Sequence, residues 1–319
     1  VEELLTQYQE GKQRGAWVKI GIAARFAQDL RLMFEPAQTL PFSEQEEYRR
    51  AFWSLYLLDR LVTCGRARPP IFNDASITVQ LPCTEKAFRL SQWERTEKLE
   101  AYMSNRVLQS PHPSPFSRAI ITAALLSRCS QYVIQAQCGG NDAPPWDAKS
   151  DYASINSSLL YLETHMDLQQ SVPEIMNAVT NDGQVDFNSA ELLVVAQVLH
   201  HLCYCILNHY FLLRQRLSGS STRIPPSFQI NSLHVGLYHA QELNKVLKSA
   251  QEAGCMVMSS FLTYSCLVSA TVHAVYRHSD IPSVRDQAIQ DLSFSLSFLQ
   301  KQSRYWPNAV TIVSSCFSC

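Results

Sequence analysis

The stretch Arg49-Arg50-Ala51-Phe52-Trp53-Ser54-Leu55-Tyr56-Leu57-Leu58-Asp59-Arg60, followed closely by Gly65-Arg66-Ala67-Arg68-Pro69-Pro70, decides how the rest of the chain is read. Ser43 stands three residues before Glu46, the spacing at which a serine and a glutamate each satisfy a free amide at a helix start. A helix over 43–63 is therefore expected, with Tyr48, Phe52, Leu55, Tyr56 and Val62 recurring at three- and four-residue steps on its inward face. Asp59 falls on that same face. A carboxylate near a helix C-terminus meets the negative end of the backbone dipole and loses hydration, so it needs a partner. Arg66, Arg68 and the loop amides between Gly65 and Pro70 are the candidates, and any of them would latch the loop to the helix.

Working outward, 65–82 has no helical pattern but carries Ile71, Phe72, Ile77, Val79 and Leu81, which reads as one extended, proline-containing loop pinned to the helices. Elsewhere helical periodicity is expected at 1–10, 15–34, 92–109, 116–137, 149–170, 189–217, 232–252, 257–278, 283–302 and 305–316. Ser91 with Glu94, Asn188 with Glu191 and Ser283 with Asp286 mark three of the starts. Prolines 111, 113 and 115, then 139–145, 181–183 and 218–226, mark the breaks. Only 10 glycines occur, which disfavours glycine-rich nucleotide loops and tight hairpins. Hydrophobic residues make up 46% of the chain against 17% charged, so a large core is available. The expectation is an all-α, multi-helix domain over 1–319, with no internal repeat and 138–147 as the best place for an internal linker.

The composition narrows function. Net charge is −1 with no run of consecutive basic residues, whereas a chain that grips DNA phosphates usually shows a concentrated basic stripe. Ten cysteines without regular spacing suggest reduced thiols in an intracellular compartment. The chain starts at Val1 with no secretion signal and reads as a fragment. Residues 192–213 are long and apolar, but Gln197, His200, His201, Asn208 and His209 interrupt them, so a buried central helix is expected and no membrane span.

Few residues suggest chemistry. His201, Cys205 and His209 lie at four-residue steps and could face one way, lining a pocket; a structural zinc site would need a fourth ligand, and none with familiar spacing accompanies them. Cys316-Phe317-Ser318-Cys319 lacks the second pair of a metal ribbon and the βαβ setting of a redox motif. His234 and His239 are five apart and turn to different faces of a helix. There is no Gly-x-Ser-x-Gly elbow, no His-Glu-x-x-His and no phosphate-cradling glycine loop, so a non-enzyme is expected.

The opening stretch, with Asn73-Asp74 and Leu81-Pro82 after it and Trp17, Gly21, Ala23, Ala27, Asp29, Leu30 and Leu32 before it, resembles the fungal-specific transcription factor domain. Residues 299–306 resemble that family's late helix ending in a tryptophan. The signature positions are Arg49, Arg50, Phe52, Trp53, Tyr56, Asp59, Arg60, Arg68 and Pro69. The resemblance implies the regulatory region of a zinc-cluster transcription factor acting in the nucleus on RNA polymerase II transcription. It implies that DNA and zinc are bound by an N-terminal module that these residues do not contain, so no cofactor is expected in this fragment. It further implies a small apolar effector, a homodimer or coregulators as partners. The alternative is a helical dimerisation or scaffold module without ligand binding.

Overall fold

The computed structural model describes residues 13–65, 68–106, 112–135, 143–217, 223–255 and 261–307. The helices expected at 1–10 and beyond 307, the Cys316–Cys319 pair and Arg66 lie outside the described residues. In chain order the helices are α1 Gln13–Asp29, α2 Phe42–Thr63, α3 Glu85–Arg89, α4 Leu99–Met103, α5 Pro115–Gln135, α6 Asp151–His165, α7 Val172–Ala178, α8 Phe187–Leu207, α9 Tyr210–Leu217, α10 Pro226–Glu252, α11 Phe261–Tyr276 and α12 Pro282–Ser303. The described residues are thus all-α apart from one hairpin, Thr180–Asn181 with Gln184–Val185. Its turn residues Asp182 and Gly183 both have positive φ, as a two-residue hairpin turn requires.

Two helices are buried on every side and organise the rest. Every residue of α5 from Ala119 to Ser127, and every residue from Ala196 of α8 through His209, is buried. A helix that is apolar all round has no solvent face to offer and must be surrounded. Accordingly α5 packs along α8, α2 covers α5, and α10 and α11 cover α8. Residues 187–215 have the length and hydropathy of a membrane span, but 83% of the apolar window is buried within the protein. The expected helix 189–217 breaks at Asn208–His209, where the Asn208 side-chain amide folds back onto the Tyr204 carbonyl.

Three of the four capped helix starts fall within two residues of those observed but with other caps, and the one at Ser91 is absent. Helix α2 begins at Phe42 after Pro41, without a side-chain cap, because the Glu46 carboxylate is used elsewhere. Residues 92–98 do not form a helix. Glu94 instead accepts from the Thr84 amide (2.9 Å) and hydroxyl (2.7 Å), and Leu81 donates to the Glu97 carbonyl, which holds this segment extended beside the loop. Helix α8 is capped by Asp186 rather than Asn188, and α12 starts at Pro282, with Ile281 in the cap position. Tyr48, expected inside, is exposed.

Helix α2 and the strap that follows it form one unit. A buried extended segment needs partners for its amides and carbonyls, and side chains of α2 supply many of them. Asp59 accepts from the amides of Ile71 (2.9 Å) and Phe72 (3.3 Å). Arg60 donates to the Phe72 carbonyl (2.7 Å) and to Asp74 (2.6 Å), and Tyr56 donates to Asp74 (2.8 Å). Trp53 donates to the Gln80 carbonyl (2.7 Å), Glu46 accepts from the Cys83 amide (2.9 Å) and Arg50 donates to the Cys83 carbonyl (3.2 Å). Arg49 and Arg50 also pair with Glu35 (2.8 Å) and Glu85 (2.7 Å). Apolar contacts reinforce the unit: Phe52 meets Trp53 and Phe72 edge-on at 5.1 and 5.3 Å, and the Arg60 guanidinium lies 4.2 Å above the Tyr56 ring.

The expected latch on Asp59 therefore exists, but its partners are the amides just past Pro70. Arg68 instead stacks over Trp17 at 4.6 Å. The chain leaves α2 through Gly65, whose φ of +68° and closeness to the Tyr264 ring exclude a Cβ. Asp59→Asn keeps the shape of the side chain but puts an NH2 where an acceptor faces two amides and Arg60. It is expected to cost about 3 kcal/mol in urea unfolding, the scale of breaking one partner of a buried pair. A loss below about 0.5 kcal/mol, the scale of a neutral surface change, would show that the latch does not hold the strap.

Candidate functional site

The strap does more than cover α2. Between it and α5 lies an open cleft of about 650 Å³. Strap residues Arg68, Pro69 and Ile71 form one wall, and Ser127, Arg128 and Gln131 of α5 form the other. Arg60 and Asp74 also line it. The charges there are unevenly matched. Arg60 is paired with Asp59 (3.2 Å) and Asp74 (2.6 Å). Among the described residues Arg68 and Arg128 make no ion pair, and Arg128 donates to the Met103 carbonyl at 3.4 Å. Arg60 Nε and Arg68 Nη1 are buried without an acceptor among the described residues.

The three residues expected to share a pocket do not converge. His201 lines a second, smaller cavity of about 200 Å³ between α6, α7, α8 and α10. Cys205 packs against Ala240 and Val272, and His209 meets Thr271 Oγ1 at 3.0 Å. His201 is joined instead by His239 of α10, their Nδ1 atoms 2.9 Å apart, so one must donate and the other accept. His200 reaches Glu163 at 3.1 Å, Tyr204 donates to the same carboxylate at 2.9 Å, and the Tyr204 and His239 rings stack at 3.8 Å. Spacing along one helix could not reveal His239 or Glu163, because both come from other helices. The aromatic signature residues Phe52, Trp53 and Tyr56 are fully buried in the core.

Burial sets the protonation of this region. It draws His239 down to about 4, helped by the charge on neighbouring His200 and opposed by Glu163, and it draws His209 down to about 4. Burial raises the Glu163 carboxyl, but the hydrogen bond and charge of His200 and the Tyr204 hydroxyl outweigh it and leave Glu163 lowered. Both histidines thus bind protons less readily in the folded chain than in the unfolded one. Their contribution is complete above the unfolded value near 6.5 and is lost as pH falls from there toward 4. By pH 5 each should cost about 2 kcal/mol relative to pH 7.5. Urea unfolding at the two pH values should show this loss, and His209→Gln should remove about 2 kcal/mol of the difference. Equal stability at both pH values would contradict the assignment.

Comparison with known proteins agrees with this organisation. The model of the fungal specific transcription factor domain matches residues 4–194, which contain the α2–strap unit and both walls of the cleft. The chain is similar to the Zn(2)-C6 fungal-type transcription factor FTF1c of Fusarium oxysporum f. sp. lycopersici, 25% identical over 84% of this chain and 29% of that protein. It is also similar to FTF2 of the same fungus, 25% identical over 85% of this chain and 25% of that protein. A transcriptional regulatory protein of Schizosaccharomyces pombe, PB1A11.04c, is 23% identical over 95% of this chain and 49% of that protein. The chain spans only about a quarter to a third of the length of these Fusarium relatives. No solved structure matches. With the family model covering more than half of its length, from α1 to the first turns of α8, the chain belongs to the fungal specific transcription factor domain family.

Proposed function

We propose that the chain is the regulatory domain of a fungal zinc-cluster transcription factor, acting in the nucleus to control transcription by RNA polymerase II. DNA is bound by a zinc cluster elsewhere in the whole protein, the Zn(2)-C6 module for which the Fusarium relatives are named. In this reading that module is what holds the zinc. No catalytic role is proposed.

One observation carries the regulatory reading. The strap held by α2 walls the 650 Å³ cleft on one side, and α5, at the centre of the core, walls it on the other. An occupant that binds one packing of strap on core better than another shifts the population between them, and it does so in proportion to that difference in affinity.

A second reading, contact with a partner or another copy of the chain, is favoured by a different observation. Val18, Ile22, Phe26 and Leu30 are exposed at four-residue steps along α1 and its end, with Phe34 and Tyr48 exposed nearby. A continuous apolar stripe of this kind marks interaction surfaces.

The regulatory reading is tested by placing this chain between a heterologous DNA-binding module and an activation module in yeast. Reporter output is expected to change by at least about fivefold relative to the fusion lacking the chain, the low end of ordinary allosteric coupling. Trp53→Ala, which empties the α2–strap core, should abolish the change. Equal output with and without the chain would refute the proposal.

A further inference from the structure

The geometry points to the strap–α5 cleft as a binding site for a small organic carboxylate with an apolar body. The inference rests on the regulatory reading only in treating the occupant as an effector; the binding itself follows from the charges and walls of the cleft.

The positive charge is left over after internal pairing. Arg60 is already neutralised by Asp59 and Asp74, and Asp74 is itself held by Arg60 (2.6 Å) and the Tyr56 hydroxyl (2.8 Å), so it is not free to serve the other arginines. Arg68 and Arg128 stand on opposite walls, without an acidic partner among the described residues. The Arg68 guanidinium carbon lies over the Trp17 ring, 4.6 Å from its centroid, a contact that holds the charge at the cleft wall without neutralising it.

Arg60 is only 3% exposed, and its Nε and Arg68 Nη1 are buried without an acceptor among the described residues, so the donors a ligand can reach belong to Arg68 and Arg128, both half-buried at the cleft. A carboxylate offers such donors the strongest hydrogen bonds available to arginine. The hydroxyls of Ser127 and Ser130 add neutral donors on the α5 side, although Ser130 already accepts from the Gly65 amide at 2.9 Å.

The rest of the lining fixes the body of the ligand. Pro69, Pro70 and Ile71 present apolar surface, backed by the buried Phe72 and Ala124, and about 650 Å³ falls in the range of small-molecule sites. Inorganic phosphate would leave that surface uncovered. A carboxylate carrying an aromatic or aliphatic group would satisfy both halves of the cleft.

The test uses this chain and isothermal titration with three carboxylates, 4-phenylbutyrate, octanoate and 2-naphthoate, each against its own neutral amide, and with inorganic phosphate. At least one carboxylate is expected to bind with Kd below about 1 mM, and its amide about tenfold or more weakly. Arg128→Gln should weaken that carboxylate about tenfold without a change in melting temperature. Arg68→Gln should do the same, and Arg68→Lys, which keeps the charge but loses the fork, should fall between. Should Arg68→Gln fail to fold, Arg128→Gln decides alone. Failure of all three carboxylates, equal binding of acid and amide, binding that survives Arg128→Gln, or binding of phosphate as tight as the best carboxylate would each overturn the inference. A chain that fails these titrations yet still alters reporter output would lose the carboxylate site and keep the regulatory reading.

Discussion

A half-buried strap without a β-ladder must pair the backbone amides and carbonyls it hides from water, and in this domain many of them go to the side chains of one helix. Asp59, Arg60, Trp53, Glu46 and Arg50 of α2 meet backbone groups from Ile71 to Cys83. The remaining needs are met by neighbours: Thr78 and Val79 donate to the Met33 carbonyl, and Ser114 and Ser117 donate to the Pro82 carbonyl. Because each bond joins one helix position to one strap position, the set fixes register as a ladder would. A strap that slipped by one residue would leave several of these groups buried and unpaired.

The energy and the specificity of the unit have different sources. Phe52, Trp53, Tyr56 and Phe72 bury whole rings, each worth about 2–3 kcal/mol. The buried Asp59–Arg60–Asp74 cluster contributes less, since desolvating charges offsets most of their attraction. Its role is placement. Holding Ile71 and Phe72 against α2 is also what opens the cleft toward α5, so the residues that position the strap indirectly shape the site.

Much of the fold was legible in the sequence, and what was not has physical causes. The all-α class follows from periodicity, and the buried character of α8 from its apolar residues on all sides. The need of Asp59 for a partner was readable from its place on the apolar face. Its true partners, two amides past Pro70, depend on how the strap curves, which side-chain pattern does not encode. The helix near Ser43 begins where expected but without the capping box, and the one at Ser91 does not form, because Glu46 and Glu94 serve the strap and Thr84 and not their own helix ends. The arginine cleft and the His201–His239 contact were invisible for a shared reason: each is assembled from elements distant in the chain, Arg68 with Arg128 and α8 with α10.

The central claim, that side chains of α2 hold the strap's backbone, is most directly tested by native-state hydrogen exchange at the amides of Ile71, Phe72 and Cys83. These amides pair with side chains of α2 and not with a helix or sheet backbone, so an ordinary surface loop would leave them open. The account predicts that all three exchange only through global or near-global unfolding, together with the amides of α2. Exchange within about tenfold of the free-peptide rate at these three positions, while α2 stays protected, would contradict it.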